Sequence, residues 1–433
     1  MIGEHLHSNI SDMKALRGFM LFGMLAFSFV AKASMILIPM DETQTNHLKA
    51  YGITFWAIEN KVPAEWILNY RGGSFLLPNL TEIQNQCIIR GVSHQVIADV
   101  QANTILNEIA NPEVNMESVK LEVAPRVAVY SPAGKLPWDD AVTLVLTYAE
   151  IPYDIVYDKE VLDGELLKYD WLHLHHEDFT GQFGKFYRAY RSATWYQEEV
   201  ESQNSSAQIM GFQKVSEMKR EVALSIKNFV IGGGFLFTMC SGTDSFDIAL
   251  AAEDVDICEP MFDGDPADPG AQSQIDFNKG LAFQDYNLEM NPLIYEFSEI
   301  DGTIDHRGIK PINDFFTLFD FSAKWDIIPT MLTQSHERVI AGFMGQTTSF
   351  RKDFIRPDVT IMGDNRNLST AKYIHGKLGL GQWTYYGGHD PEDYQHMVND
   401  PATDLNLHPN SPGYRLILNN ILFPAAKKQE RKT

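Results

Sequence analysis

Cysteine is scarce, with three in 433 residues: Cys87, Cys240 and Cys258. So few thiols exclude the disulfide framework that staples small secreted domains. One bridge, Cys87–Cys258, would leave Cys240 free; the alternative is three buried thiols. Positive charge is also scarce. Lysine and arginine number 35 against 57 acidic residues, a net charge of −22. A nucleic-acid binder needs a concentrated basic patch, and the only dense basic run is the tail at 427–433, so nucleic acid is not an expected partner. The apolar run Phe19–Val30 has twelve residues, fewer than the roughly 20 that cross a bilayer. No internal repeat is present, which argues against solenoids and propellers.

What remains is a chain with 44 % hydrophobic and 21 % charged residues, a globular composition long enough for one large domain or two smaller ones. Its N-terminus has the order of a secretory leader. Lys14 and Arg17 precede Phe19–Val30, and Ala31-Lys32-Ala33 follows with small residues at cleavage spacing. This predicts a signal peptide over residues 1–33, a mature start at Ser34 and a periplasmic or secreted location. No cysteine closely follows the apolar run, so no stable membrane anchor is expected.

Apolar runs alternate with helical patterns over most of the length, which predicts an α/β sheet with flanking helices. A smaller α/β segment is expected over 34–124, with strands at Met35–Pro39 and Trp66–Tyr70, helix at His47–Asn60, interrupted helix over Thr81–Ile109 and a connector over Asn111–Ala124. A larger unit, 125–426, begins with Val127–Tyr130 (strand), Asp139–Ala149 (helix), Tyr153–Tyr157 and Asp170–Leu174 (strands). It continues through an amphipathic stretch, Phe183–Asn228, to the strand Gly234–Met239. An acidic insertion lies around 253–330. Short strands at Val339–Met344, Val359–Met362, Tyr373–Leu378 and Gln382–Tyr386 precede a final helix, Gly413–Leu422.

The densest chemistry is in Gly233–Asp244. The apolar strand stops at Cys240, the small-residue turn Ser241-Gly242-Thr243 follows, and a helical stretch succeeds it. A strand–nucleophile–helix turn lifts the side chain above a parallel sheet and aims it at the positive end of the next helix, where a thiolate is favoured. Such a nucleophile needs a base, and His389, after Gly387-Gly388 at a later strand end, is the candidate. The strand ending at Leu174 reaches the same sheet edge, so Glu177 is expected at the rim of a shared cleft. Gly242 and Gly388 line that cleft as small residues where a substrate approaches.

The cluster His173-Leu174-His175-His176-Glu177-Asp178 holds ligand types that suit zinc. It reads more simply as a polar rim with structural histidines, and no metal or cofactor is expected. Asp263-Gly264-Asp265-Pro266-Ala267-Asp268 has Ala267 and Gln274 where a calcium loop needs oxygen ligands, so it reads as a solvated acidic loop. Arg71-Gly72-Gly73-Ser74 reads either as a backbone anion site or as a simple turn.

The motifs Arg126–Tyr130, the Cys240 elbow, Gly379–Asp390 and Tyr414–Leu422 together resemble the class I glutamine amidotransferase-like superfamily, nearest its trehalose-utilisation (ThuA-like) branch. The resemblance covers roughly the last 300 residues and implies a flavodoxin-like parallel sheet and an amidotransferase-like cysteine hydrolase acting on a carbon–nitrogen bond of a small-molecule substrate. Thr238 stands where the family elbow has its first glycine. The family places a glutamate two residues after its histidine; Pro391 stands there, and Glu392 is the residue carried over to orient His389. The ThuA-like branch implies an alternative, a non-catalytic or sugar-related binding module. Over its whole length the chain also resembles exported bacterial proteins labelled asparagine synthetase B, on Ser241-Gly242-Thr243-Asp244-Ser245, which implies a glutamine-hydrolysing synthetase.

Overall fold

The computed structural model describes residues 34–132 and 137–426. The expected leader and the basic tail lie outside the described residues. Two sheets account for the strands. The first is antiparallel, built from β1 (Ser34–Ile38), β2 (Ala64–Leu68), β3 (Ser74–Pro78), β4 (Gln95–Ala98) and β5 (Glu117–Leu121) in the order β4-β1-β3-β2-β5. Helix α1 (His47–Glu59) is capped by Asn46, whose side chain accepts from the Lys49 N–H. It is buried nearly all round because it packs both within this segment and against two helices of the second sheet. The stretch expected to be interrupted helix resolves into α2 (Thr81–Ile89), β4 and α3 (Asp99–Ala110), and the expected connector contains β5.

The second sheet is mixed. Its strands are β6 (Val127–Tyr130), β7 (Asp154–Val156), β8 (Trp171–Leu174), β9 (Phe235–Met239), β10 (Phe315–Leu318), β11 (Val339–Ala341), β12 (Phe350–Arg351), β13 (Thr360–Asn365), β14 (Thr370–Leu378) and β15 (Gly381–Tyr386). They run β11-β10-β13-β14-β15-β9-β8-β6-β7, with β12 also on β14. From β15 to β7 every pairing is parallel, and from β15 to β11 every pairing is antiparallel. The expectation of a parallel sheet is therefore corrected to a mixed one. The cause is local: only Gly379 and Leu380 separate β14 from β15, and so tight a turn returns the chain antiparallel.

Alternation along the parallel strands feeds two cores. Val127, Val129, Phe237 and Met239 face α4 (Ala141–Ala149) and α8 (Pro412–Leu422), joined there by residues of the first sheet. Ala128, Tyr130, Leu172, Leu174 and Leu236 face the opposite core with α6 (Val215–Ile231) and α7 (Ser241–Ala251). Helix α5 (Thr194–Ile209) lies outside these layers against α6. Buried on both faces, β6, β8 and β9 are almost wholly apolar, with His173 and Thr238 the polar exceptions, which makes them legible as strands.

Two further expectations meet the first sheet and the loops. Cys87 sits in the core shared by both sheets while Cys258 lies in a separate cluster, and both are free thiols, so the Cys87–Cys258 bridge is corrected. The Gly72 carbonyl accepts from Arg415 of α8, and a Cβ on Gly72 would come within 2.3 Å of the Met40 carbonyl oxygen. That turn is a structural clamp. Lys214 ties three carboxylates of the acidic loop together, its Nζ lying 2.6 Å from Asp256, 3.1 Å from Asp263 and 2.6 Å from Asp265.

Candidate active site

Cys240 stands between β9 and α7 with φ 50° and ψ −142°. A side-chain-bearing residue held at such a positive φ costs on the order of 1–3 kcal/mol and persists only where its surroundings fix it. Two hydrogen bonds do so. The Cys240 N–H donates to the Gly388 carbonyl at 3.2 Å, and the Gly242 N–H donates to the His175 carbonyl at 2.7 Å. The ends of β8, β9 and β15 are thereby tied together at their carboxyl edge. Glycine is required at 242 because a Cβ there would meet the His175 carbonyl oxygen at 2.5 Å. At 388, φ is +91° and a Cβ would meet the Phe343 ring at 2.5 Å.

The thiol is enclosed. Burial pushes it up to about 11, while the backbone N–H groups of Gln346, Ser241 and Thr347 face it and favour the thiolate. The loop carrying two of those donors is pinned from several sides. The Gln346 side chain donates to the Gly184 carbonyl at 2.6 Å and the Tyr295 carbonyl at 3.1 Å, and the Thr347 hydroxyl donates to Asp244 at 2.7 Å. Buried Lys372 donates to the carbonyls of Phe343 and Thr348 at the two ends of this loop.

Histidines form the facing wall. Sγ of Cys240, one ring nitrogen of His175 and one of His389 lie within 4.8 Å of one another. His389 donates from Nε2 to the Asp139 carbonyl at 3.0 Å, which leaves Nδ1 as the ring's basic nitrogen. Its ring stacks on His396 at 4.0 Å and lies 4.4 Å from His175. Burial, with His175, His396 and His176 adding repulsion, holds His389 well below the ordinary histidine range, so it is neutral. Asp140 caps α4, accepting from the N–H groups of Val142 and Thr143, and its other oxygen lies 3.3 Å from both His173 Nε2 and His175 Nδ1. Burial opposes that charge, yet the two imidazoles hold the carboxyl well below its usual range.

Glu177 is buried beside His176, 3.7 Å away, and burial raises its carboxyl to about 8. Of the residues expected from sequence, Cys240, His389, Gly242, Gly388 and Glu177 thus lie around one sheet edge. Glu392 does not join His389; its carboxylate pairs with His408 at 3.0 Å. The proline at 391 turns the carboxylate away, and the Asp139 carbonyl takes the orienting place. Sequence reasoning missed Asp139, Asp140 and His396. Asp140 carried a signal: an acidic cap before an apolar helix, just past a strand end. The histidines read as a rim are instead the wall of the site. Ser241–Ser245 is the enclosed first turn of α7, where the N–H groups of Gly242, Thr243 and Ser245 are bonded within the protein and unavailable to nucleotide phosphates.

No family model matches this chain, and no curated protein does. Solved structures do match. Two cytoplasmic proteins of Salmonella typhimurium, 11 % and 9 % identical, each align over 70 % of this chain and 100 % of their own, with TM-scores of 0.34. A β-galactosidase from Bacillus circulans sp. alkalophilus is 13 % identical over 62 % of this chain and 29 % of its own length, with a TM-score of 0.25. Likenesses this distant carry no argument about activity. The periplasmic or secreted location expected from the leader is not carried forward: the two Salmonella proteins are named cytoplasmic proteins, and the leader lies outside the described residues. Among the described residues no helix is long and apolar enough to cross a membrane.

Proposed function

We propose that this protein is a cysteine hydrolase of the class I amidotransferase-like kind, cleaving a carbon–nitrogen bond of a small-molecule substrate with Cys240 as nucleophile. The observation that carries it is the Cys240 elbow, a left-handed cysteine at the end of a parallel strand with three N–H groups turned to its sulfur and two imidazoles within 4.8 Å. The strand order β7-β6-β8-β9-β15, second-first-third-fourth-fifth along the chain, supports a flavodoxin-like half in which ligands bind beyond the carboxyl ends of the strands.

In this reading His389 accepts the thiol proton at Nδ1 as sulfur bonds to the acyl carbon. Collapse breaks the carbon–nitrogen bond, and the imidazolium returns the proton to the departing amine. Water then adds to the thioester carbon, the sulfur–carbon bond breaks, and acid and thiol are released. The N–H groups of Ser241, Gln346 and Thr347 supply the fixed dipoles that such charge development needs. A glutamine-analogue electrophile tests it. Stoichiometric labelling at Cys240, absent in Cys240→Ser, is expected; labelling elsewhere or none in the folded protein would overturn it. The second reading, a binding module on the same cleft, is favoured by the thiol standing at about 11, and ligand binding without labelling would support it.

A further inference from the structure

Buried polar atoms that make no hydrogen bond within the protein concentrate at one place. His175 Nε2, His176 Nδ1, Asp139 Oδ2 and His396 Nε2 have no partner, and His173 Nε2, His175 Nδ1, His176 Nε2, Asp139 Oδ1 and Glu177 Oε1 have only ion-pair contacts at 3.3–3.7 Å. One such group costs about 1–3 kcal/mol, so this density calls for an occupant. The clustering also has a direction. The ligand triads His175–Cys240–His389, Asp139–His389–His396 and Asp140–His173–His175 share His175 and His389, each triad having its donor atoms within 4.8 Å.

We infer that His175, His389 and Cys240 form a binding site for a thiophilic divalent cation, zinc by donor chemistry. Two neutral imidazoles and a thiolate are borderline and soft ligands that suit zinc and disfavour magnesium or calcium. Tetrahedral ligands about 2.0–2.3 Å from zinc stand about 3.3–3.8 Å apart, so donors within 4.8 Å of one another need close in by no more than about 1–1.5 Å. The surroundings are those of a metal site. Asp140 stands 3.3 Å from His175 Nδ1, the position from which a carboxylate orients a ligating imidazole and leaves Nε2 for the metal. The Asp139 carbonyl does the same for His389, receiving its Nε2–H and leaving Nδ1. Three protein ligands leave a fourth position open. One consequence rests on the hydrolase reading: a metal-bound Cys240 cannot attack, so the loaded protein would be a resting form of that enzyme.

The test uses full-length protein stripped with chelator and titrated with Co²⁺, then competed with Zn²⁺. Equimolar binding is expected, with a tetrahedral visible spectrum and a thiolate-to-cobalt charge-transfer band. Cys240→Ser should lose the band, and Asp140→Asn should bind 10–100-fold more weakly while keeping it. Circular dichroism confirms that each variant is folded; should Cys240→Ser not fold, His389→Gln, with the band kept but affinity reduced at least tenfold, decides the matter. An octahedral spectrum, no charge-transfer band, or unchanged affinity in a folded ligand variant would overturn the proposal. Zn²⁺ should also protect Cys240 from the electrophile, and equal labelling of loaded and stripped protein would overturn it too. Absence of labelling in stripped protein would instead remove the hydrolase reading and leave the metal site standing.

Discussion

The backbone N–H of Cys240 and the carbonyl of Gly388 are hydrogen-bonded at 3.2 Å, which makes the elbow of β9 and the end of β15 a single structural unit. The residue that positions the nucleophile is therefore the one immediately before the candidate base. Changes at 388 should move both.

Gly388→Ala is expected to destabilise the protein by on the order of 1–3 kcal/mol through its left-handed backbone alone, and by more because the new Cβ meets the Phe343 ring and Lys372 Nζ at 2.7 Å or less. A lowered Tm with reduced Cys240 labelling is the expected result. An unchanged Tm would show that the turn relaxes without strain.

Lys372 is a positioning residue. Its ammonium bonds the carbonyls at both ends of the loop that brings the Gln346 and Thr347 N–H groups to the sulfur. Lys372→Met should lower kcat by up to about 10²–10³-fold, as when an oxyanion donor is displaced, with KM little changed. A loss confined to KM would contradict that role.

Glu392→Gln should leave labelling and turnover essentially unchanged, because that carboxylate faces His408. His389 should respond to Asp139 and Asp140 instead. Equal losses in Glu392→Gln and Asp140→Asn would reject this division.

Acid sensitivity should come from buried neutral histidines, His389 among them, and in measurable part from the stacked pair His47 and His336, 4.0 Å apart beside Arg415 and near Glu337. Burial and the Arg415 charge lower His47 to about 4, and burial with His47 and Arg415 lowers His336 to about 3. Both are depressed below their unfolded value, so the unfolded chain binds more protons once pH falls below about 6.5. Stability should therefore drop between about pH 6.5 and 4 by on the order of several kcal/mol and flatten near pH 3. His336→Gln should weaken that slope in denaturant titrations; an unaltered slope would place the acid lability elsewhere.

The elbow strand, the parallel strands and the glycines at the turns were legible because burial on both faces writes nearly unbroken apolar runs and a sharp turn demands small residues. The antiparallel extension was also written, in the two-residue turn Gly379-Leu380, but strand direction is carried by turn length and not by apolar content. The histidine wall was harder. Asp140, His175 and His389 are far apart in sequence, and only the parallel register of β6, β8, β9 and β15 brings their strand ends together. Glu392 misled for a related reason: a short sequence offset says nothing of which way a side chain turns after a proline.

Arg415 is fully buried, and its guanidinium reaches the Met40 carbonyl, the Tyr51 hydroxyl and the Gly72 carbonyl. These partners are separated from it by 343 to 375 positions along the chain. Contacts of such long range are slow to form, because the loop they close must be ordered before they return any stabilisation. During synthesis the carbonyls around Gly72 emerge long before their cation does. Until α8 is made, the first sheet lacks both this cation and the apolar side chains of α8 that share its core.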